Sequence, residues 1–155
     1  MKKALMKHSG FTLIEIMVTV AIVAILLAVG LPAYQEQIAK GKRAEGKSAL
    51  LKTIQLQERN YTANGTYVAT AGLPALFGLA AGPVHSGENP ADTTGWYVIT
   101  ADTSGCNTAD LQVCVNVIAT PRAGYTDANC NVLSLNSRGV QAETGTRDLA
   151  YCWGR

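Results

Sequence analysis

Five side chains in this sequence combine type and spacing in ways that permit chemistry: Cys106, Cys114, Cys130 and Cys152, and a lone acid, Glu15, in a long apolar run. The cysteines lack the close C-x-x-C spacing of zinc sites, so the chemistry that suits them is oxidation to disulfides. Four cysteines allow three connectivities. Alternation sets Cys114 and Cys130 apart from the Val and Leu positions of the expected core, so their partners should lie in flanking loops. The favoured pairing is therefore Cys106 with Cys114 and Cys130 with Cys152, and a Cys106 to Cys130 bridge would contradict this reading of the sheet. His8 and His85 have no Cys, Asp or Ser pattern beside them and are expected to be solvated; no phosphate-binding Gly loop or metal spacing occurs. No catalytic residue, metal or cofactor is expected. Trp96, Trp153 and the tyrosines are expected to serve core packing.

Glu15 is the single charge between Lys7 and Glu36. The apolar run from Phe11 to Ala33 would extend roughly 35 Å as a helix, enough to cross the hydrocarbon of a bilayer. It is too long, and too charged at Glu15, for the apolar part of an ordinary secretory signal. Lys2, Lys3 and Lys7 precede it and no basic residue follows immediately, which places the N-terminus on the cytoplasmic side. A carboxylate in such a span costs on the order of 2 to 3 kcal/mol at mid-bilayer and less near an end. A cut between Gly10 and Phe11 would create an α-amino cation one turn before Glu15. An amine and a carboxylate about 4 Å apart attract by roughly 4 kcal/mol at an effective dielectric of 20, comparable with the penalty. Glu15 could then set the axial register of neighbouring helices, or simply occupy a helix N-terminus that the dipole favours. The residues alone leave both readings open.

Lys7-His-Ser-Gly-Phe-Thr-Leu-Ile-Glu15 resembles the processing site of type IV prepilins, with a short basic leader as in the type IVa class. Arg43 to Leu51, Gln57 to Tyr61, Gly65-Thr-Tyr67 and Tyr151-Cys-Trp153 look most like minor pilins of the PilE type and ComP-like DNA-uptake pilins. The pairing of a cysteine in the third strand with a Cys-Trp near the end is similar to the disulfide-bound C-terminal region of type IVa pilins. The resemblance implies a prepilin peptidase that cuts after Gly10 and methylates the amine of Phe11, with Glu15 guiding subunit docking. It implies a structural subunit of the type IV pilus, of the minor kind, acting in pilus assembly and biogenesis and supporting motility, adhesion or DNA uptake. Its partners would be other pilin subunits, the peptidase and methyltransferase, the inner membrane and the assembly machinery. It would start as a single-pass inner-membrane protein and end in the extracellular pilus. The alternatives are a DNA-uptake or adhesin-type receptor pilin and a type II secretion pseudopilin.

These residues need elements to hold them, and 155 residues with 48% apolar and 15% charged side chains make one domain at most, with enough material for a core. The expected fold is α+β: a leader over 1–10, a long helix over 11–60 with 11–33 in the membrane, and a globular head over 61–155. Leu50, Leu51, Ile54 and Tyr61 recur at helical spacing, and Asn64-Gly65 should end the helix. Gly30 and Pro32 mark a kink, a local melting point or a boundary bend. A Gly- and Pro-rich loop is expected over 69–95, with a turn or two of helix at Leu73 to Leu79. An antiparallel sheet of about four strands should occupy 96–143: Trp96 to Thr100, Leu111 to Thr120, Cys130 to Asn136, and a short one at Val140. The helix C-terminal half should cover its apolar face.

The net charge of +2 is divided along the chain. Residues 34–60 carry Lys40, Lys42, Arg43, Lys47, Lys52 and Arg59 against three acids, a net of +3. From Tyr61 on, Arg122, Arg138, Arg147 and Arg155 stand against seven acids, a net of −3. A basic stem beside an acidic head suggests either electrostatic adhesion between subunits or merely solvated faces. An acidic head argues against nucleic-acid binding unless those arginines share one face.

Overall fold

The computed structural model describes residues 11–154, so Gly10 with the rest of the leader, and Arg155, lie outside the described residues. Contacts divide the chain near Ile38 into an N-terminal unit and a unit from Ala39 onward. One helix, α1 (Leu13–Asn64), contributes to both.

Helix α1 starts at a cap. Thr12 accepts the Glu15 N–H on its Oγ1 at 3.3 Å, and Thr-x-x-Glu is the pattern of a capping box. It ends at Gly65, whose φ of +72° supplies the left-handed residue and whose N–H reaches the Tyr61 carbonyl at 2.7 Å. Pro32 lies inside the helix.

From Ala39 on, the buried face of α1 is Arg43, Gly46, Leu50, Thr53 and Gln57, alternating steps of three and four. This corrects the apolar stripe read from sequence, because Leu51 is 53% exposed while Ile54 and Tyr61 are only partly buried. The polar members of the seam are buried because each finds a partner. Gln57 donates to the Val68 carbonyl at 2.7 Å and accepts the Val68 N–H at 2.9 Å, acting as a short substitute strand for the chain that leaves the helix. Gly46 is there for closeness: a Cβ would stand 2.9 Å from the Tyr97 ring.

After a 3₁₀ turn (Thr70–Gly72) and α2 (Leu73–Leu76), five strands form an antiparallel sheet in sequential order. They are β1 (Val84–His85), β2 (Tyr97–Asp102), β3 (Asn116–Pro121), β4 (Leu133–Asn136) and β5 (Gln141–Glu143), and α3 (Leu149–Trp153) follows. Tyr97 pairs with Pro121, Ala119 with Leu133, and Leu133 with Glu143, so these residues mark one end of the sheet. Tyr97, Ile99, Val117, Ala119, Leu133 and Leu135 turn inward onto Leu50 and Leu73. The long helix packed on an antiparallel sheet, with two disulfides, agrees with the expected α+β fold.

Three details differ. β1 arises inside the 69–95 loop, and it buries His85, contrary to the solvated position expected from sequence. β3 is shorter than Leu111 to Thr120, because Asp110 caps a turn there: its carbonyl accepts the Val113 N–H and its carboxylate the Gln112 N–H. Val113 is consequently exposed, off the face assigned to it. Cys114 and Cys130 lie just before β3 and β4 and are both fully buried, so they do not stand on an opposite, wet strand face.

Candidate functional site

Two regions carry the residues singled out from sequence. The first is the start of α1. An 18-residue window there averages a hydropathy of 2.7 with none of it buried, so the helix is long and apolar enough to cross a membrane. Phe11 and Leu13 are exposed, and Glu15 sits in the first turn, where the N-terminal dipole favours an anion. Gly30 and Pro32 lie in the same apolar segment.

The second region is the end of the sheet marked by Tyr97, Pro121 and Leu133. An open cleft of about 650 Å³ lies here between the turns 120–128 and 144–146, with Asn131 on its wall. Both turns are fastened. The bridge Cys130–Cys152 joins the base of the first turn to α3, and Asp148 caps α3 by accepting the Tyr151 N–H at 3.0 Å. The N–H groups of Thr146 and Arg147 donate to the carbonyls of Ala128 and Asn129 at 3.1 and 2.9 Å. The other bridge, Cys106–Cys114, closes a loop at the opposite end of the sheet.

Arg43 of α1 reaches into this end and pairs with Asp127. Its Nε and a terminal nitrogen donate to the two carboxylate oxygens at 2.6 and 3.0 Å, with both side chains 3% exposed. Burial alone would raise the Asp127 pKa. The Arg43 guanidinium and the N–H groups of Cys130 and Asn129 outweigh it and hold the carboxyl below its ordinary value. Burial likewise pushes the hydroxyls of Tyr97 and Tyr125 upward, and their rings meet edge to face at 5.7 Å.

Cations gather around the aromatic rings beside the cleft. The Lys42 ammonium lies 3.7 Å from the Trp96 ring centre and 4.5 Å from that of Tyr125. Arg122 lies over Trp96 at 5.4 Å and donates to the Thr93 carbonyl. Arg147, exposed, lies over Tyr151 at 4.5 Å. Arg122 and Arg147 therefore share one end of the sheet, whereas Arg138 sits in the β4–β5 hairpin at the other, and Arg155 is outside the described residues. The sequence count of −3 for the head also overstates its acidity, since Asp127 is buried against a stem arginine. Sequence reasoning missed Lys42 as a member of this group, because its ring partners lie more than fifty residues away.

A family model described as the type IV minor pilin ComP, DNA uptake sequence receptor, matches residues 32–134, more than half of the chain. The chain belongs to this family of type IV pilins. A second model, the prokaryotic N-terminal methylation motif, matches residues 5–31. The pilin is similar to the type IV major pilin protein PilE1 of Neisseria gonorrhoeae, with 39% identity over 74 residues, covering 44% of this chain and 45% of that one. A fimbrial protein of Moraxella nonliquefaciens is 35% identical over 94 residues, covering 57% of this chain and 60% of the relative. The chain thus spans less than two thirds of the length of either relative. Among solved structures, a type IV pilin from Shewanella oneidensis aligns with a TM-score of 0.41 and 21% identity, covering 66% of this chain and 89% of that one.

Proposed function

We propose that this type IV pilin is a minor subunit, built for assembly rather than catalysis. A prepilin peptidase cuts it after Gly10 and methylates Phe11, and Glu15 then sets its axial register among neighbouring helices. It waits in the inner membrane with its N-terminus on the cytoplasmic side and enters the extracellular pilus when the assembly machinery draws it in. Gly30 and Pro32 form the weak point of the helix, because Pro32 removes a backbone donor. The observation that carries this reading is the exposed apolar start of α1, which puts an acid on the first turn of a helix that otherwise needs lipid or other pilin helices around it. Fractionation tests it. The mature chain should remain in the membrane fraction of cells without pilus assembly and move into sheared pili when assembly is restored; exclusion from the pili would contradict it.

A second reading concerns the head. The family's description as a DNA uptake sequence receptor and the cluster of Lys42, Arg122 and Arg147 beside the cleft favour DNA as the ligand of this surface. The three cations lie at one end of the sheet, where they can contact the phosphates of one duplex. With three phosphate contacts, the full chain in detergent should bind duplex DNA with a log affinity against log salt slope of roughly −3. No binding, or binding indifferent to salt, would count against it.

A further inference from the structure

Trp96 stands at the entry to β2, half-buried and packed against the core, and it also carries cations. Its backbone is fixed from two directions. Its N–H donates to Glu45 Oε1 at 3.0 Å, and its carbonyl accepts the Arg122 N–H at 3.1 Å. The Tyr125 ring meets it edge to face at 5.6 Å and takes a share of the same lysine. Helix α1 and the chain just after β3 therefore fix the Trp96 backbone, and its indole is shared by two cations, Lys42 and Arg122, of which Arg122 is also held by the Thr93 carbonyl. The negative face of an aromatic ring is what permits such convergence, since ammonium and guanidinium groups within about 6 Å are attracted to it.

We propose that Trp96 is a positioning residue, which pre-organises Lys42 and Arg122 as a two-cation clamp for a phosphodiester backbone. This rests on the DNA-binding reading of the cleft and deepens it. Long cationic side chains ordinarily lose rotamer freedom when they seize a ligand; here much of that ordering is complete beforehand. The indole is occupied by the protein's own cations, so it holds charge in place and is no platform for stacked bases.

Two measurements on the full chain in detergent test the proposal. Duplex DNA titrated over a range of salt should bind Trp96→Leu about three- to tenfold more weakly than the wild type, mainly the ordering cost of Lys42, since Arg122 keeps its bond to the Thr93 carbonyl. The salt slope should be unchanged, because both charges remain. Lys42→Gln and Arg122→Gln should each reduce the slope by about 0.9. Trp96→Phe, which keeps a ring, should recover most of the affinity. Unchanged affinity in Trp96→Leu would overturn the proposal, as would a loss seen with single-stranded but not duplex DNA, the mark of base stacking. The second measurement needs no DNA: in NMR spectra the Lys42 Cε methylene should be shifted upfield by the Trp96 ring and return to the exposed-lysine position in Trp96→Leu. A wild-type signal already at that position overturns the clamp even if DNA binds. A shifted signal in a protein that binds no duplex DNA overturns the DNA reading, and the clamp's ligand with it.

Discussion

Arg43 and Asp127, 84 residues apart in sequence, form a buried, two-pronged ion pair that fastens α1 to the turn lining the cleft. Asp127 also receives the N–H groups of Asn129 and Cys130, so one carboxylate organises both the helix contact and the turn. Removing one partner leaves an uncompensated charge in the interior, and breaking a buried pair of this kind costs about 3–5 kcal/mol. Asp127→Asn should therefore lower head stability by about that amount in denaturant melts, whereas the double change Arg43→Met with Asp127→Leu should recover much of it.

The same pair sets an acid limit. The Asp127 pKa is lowered in the folded protein, so its stabilisation is fully present above the ordinary carboxyl value of 3.8 and is lost as pH falls through the depressed folded value. Melting curves of the wild type should lose stability on acidification below about pH 4. Asp127→Asn should show a shallower decline there; parallel curves would remove the assignment.

Helix and sheet approach closely because Gly46 has no side chain. A Cβ would come within 2.9 Å of the Tyr97 ring, which is fully buried and held by its neighbours. Gly46→Val should cost about 1–3 kcal/mol through overpacking, despite the better helix propensity of valine over glycine. A melting temperature equal to the wild type's would show that the ring can yield.

The two disulfides should differ in weight. Cys130–Cys152 closes 22 residues, and both of its cysteines belong to the buried core, while Cys106–Cys114 closes 8 at the far end of the sheet. Loop-closure arguments assign about 3 kcal/mol to the longer and about 2.5 kcal/mol to the shorter. Serine pairs at 130 and 152 should also release α3 and thereby Arg147, so DNA affinity should fall with stability. Serine pairs at 106 and 114 should lower stability and leave affinity close to the wild type's.

Much of this architecture is legible in the sequence, and the exceptions share a cause. Thr12-Leu-Ile-Glu15 carries a capping-box pattern that would have shown the start of α1, and Asn64-Gly65 announces its end. The antiparallel sheet follows from short alternating runs. What pattern could not show are residues whose environment is made by distant partners. Arg43, Thr53 and Gln57 are polar in sequence but buried in the fold, two of them through Asp127 and Val68. Leu111 to Cys114 alternates like a strand but is bent into a turn by Asp110. The two-residue β1 exists because Val84 and His85 pair with Ile99 and Val98, and a run that short has no period to read. The cation cluster draws Lys42, Arg122 and Arg147 from three separate segments, and a charge count along the chain averages it away.

Processing and register can be separated at the N-terminus. Gly10→Val should block leader removal, because a branched side chain crowds the scissile bond. Glu15→Val should leave removal intact and impair entry into the filament, since the amine of Phe11 then has no carboxylate to meet. An undiminished content of Glu15→Val in pili would refute the register role.

Quantitative mass spectrometry of sheared, purified pili reads both the N-terminus of this pilin and its share of the filament. The expected chain begins with N-methylated Phe11 and is present at a small fraction of the major subunit's abundance. An N-terminus elsewhere, or a chain missing from the filament or dominating it, would contradict a minor pilin cut after Gly10.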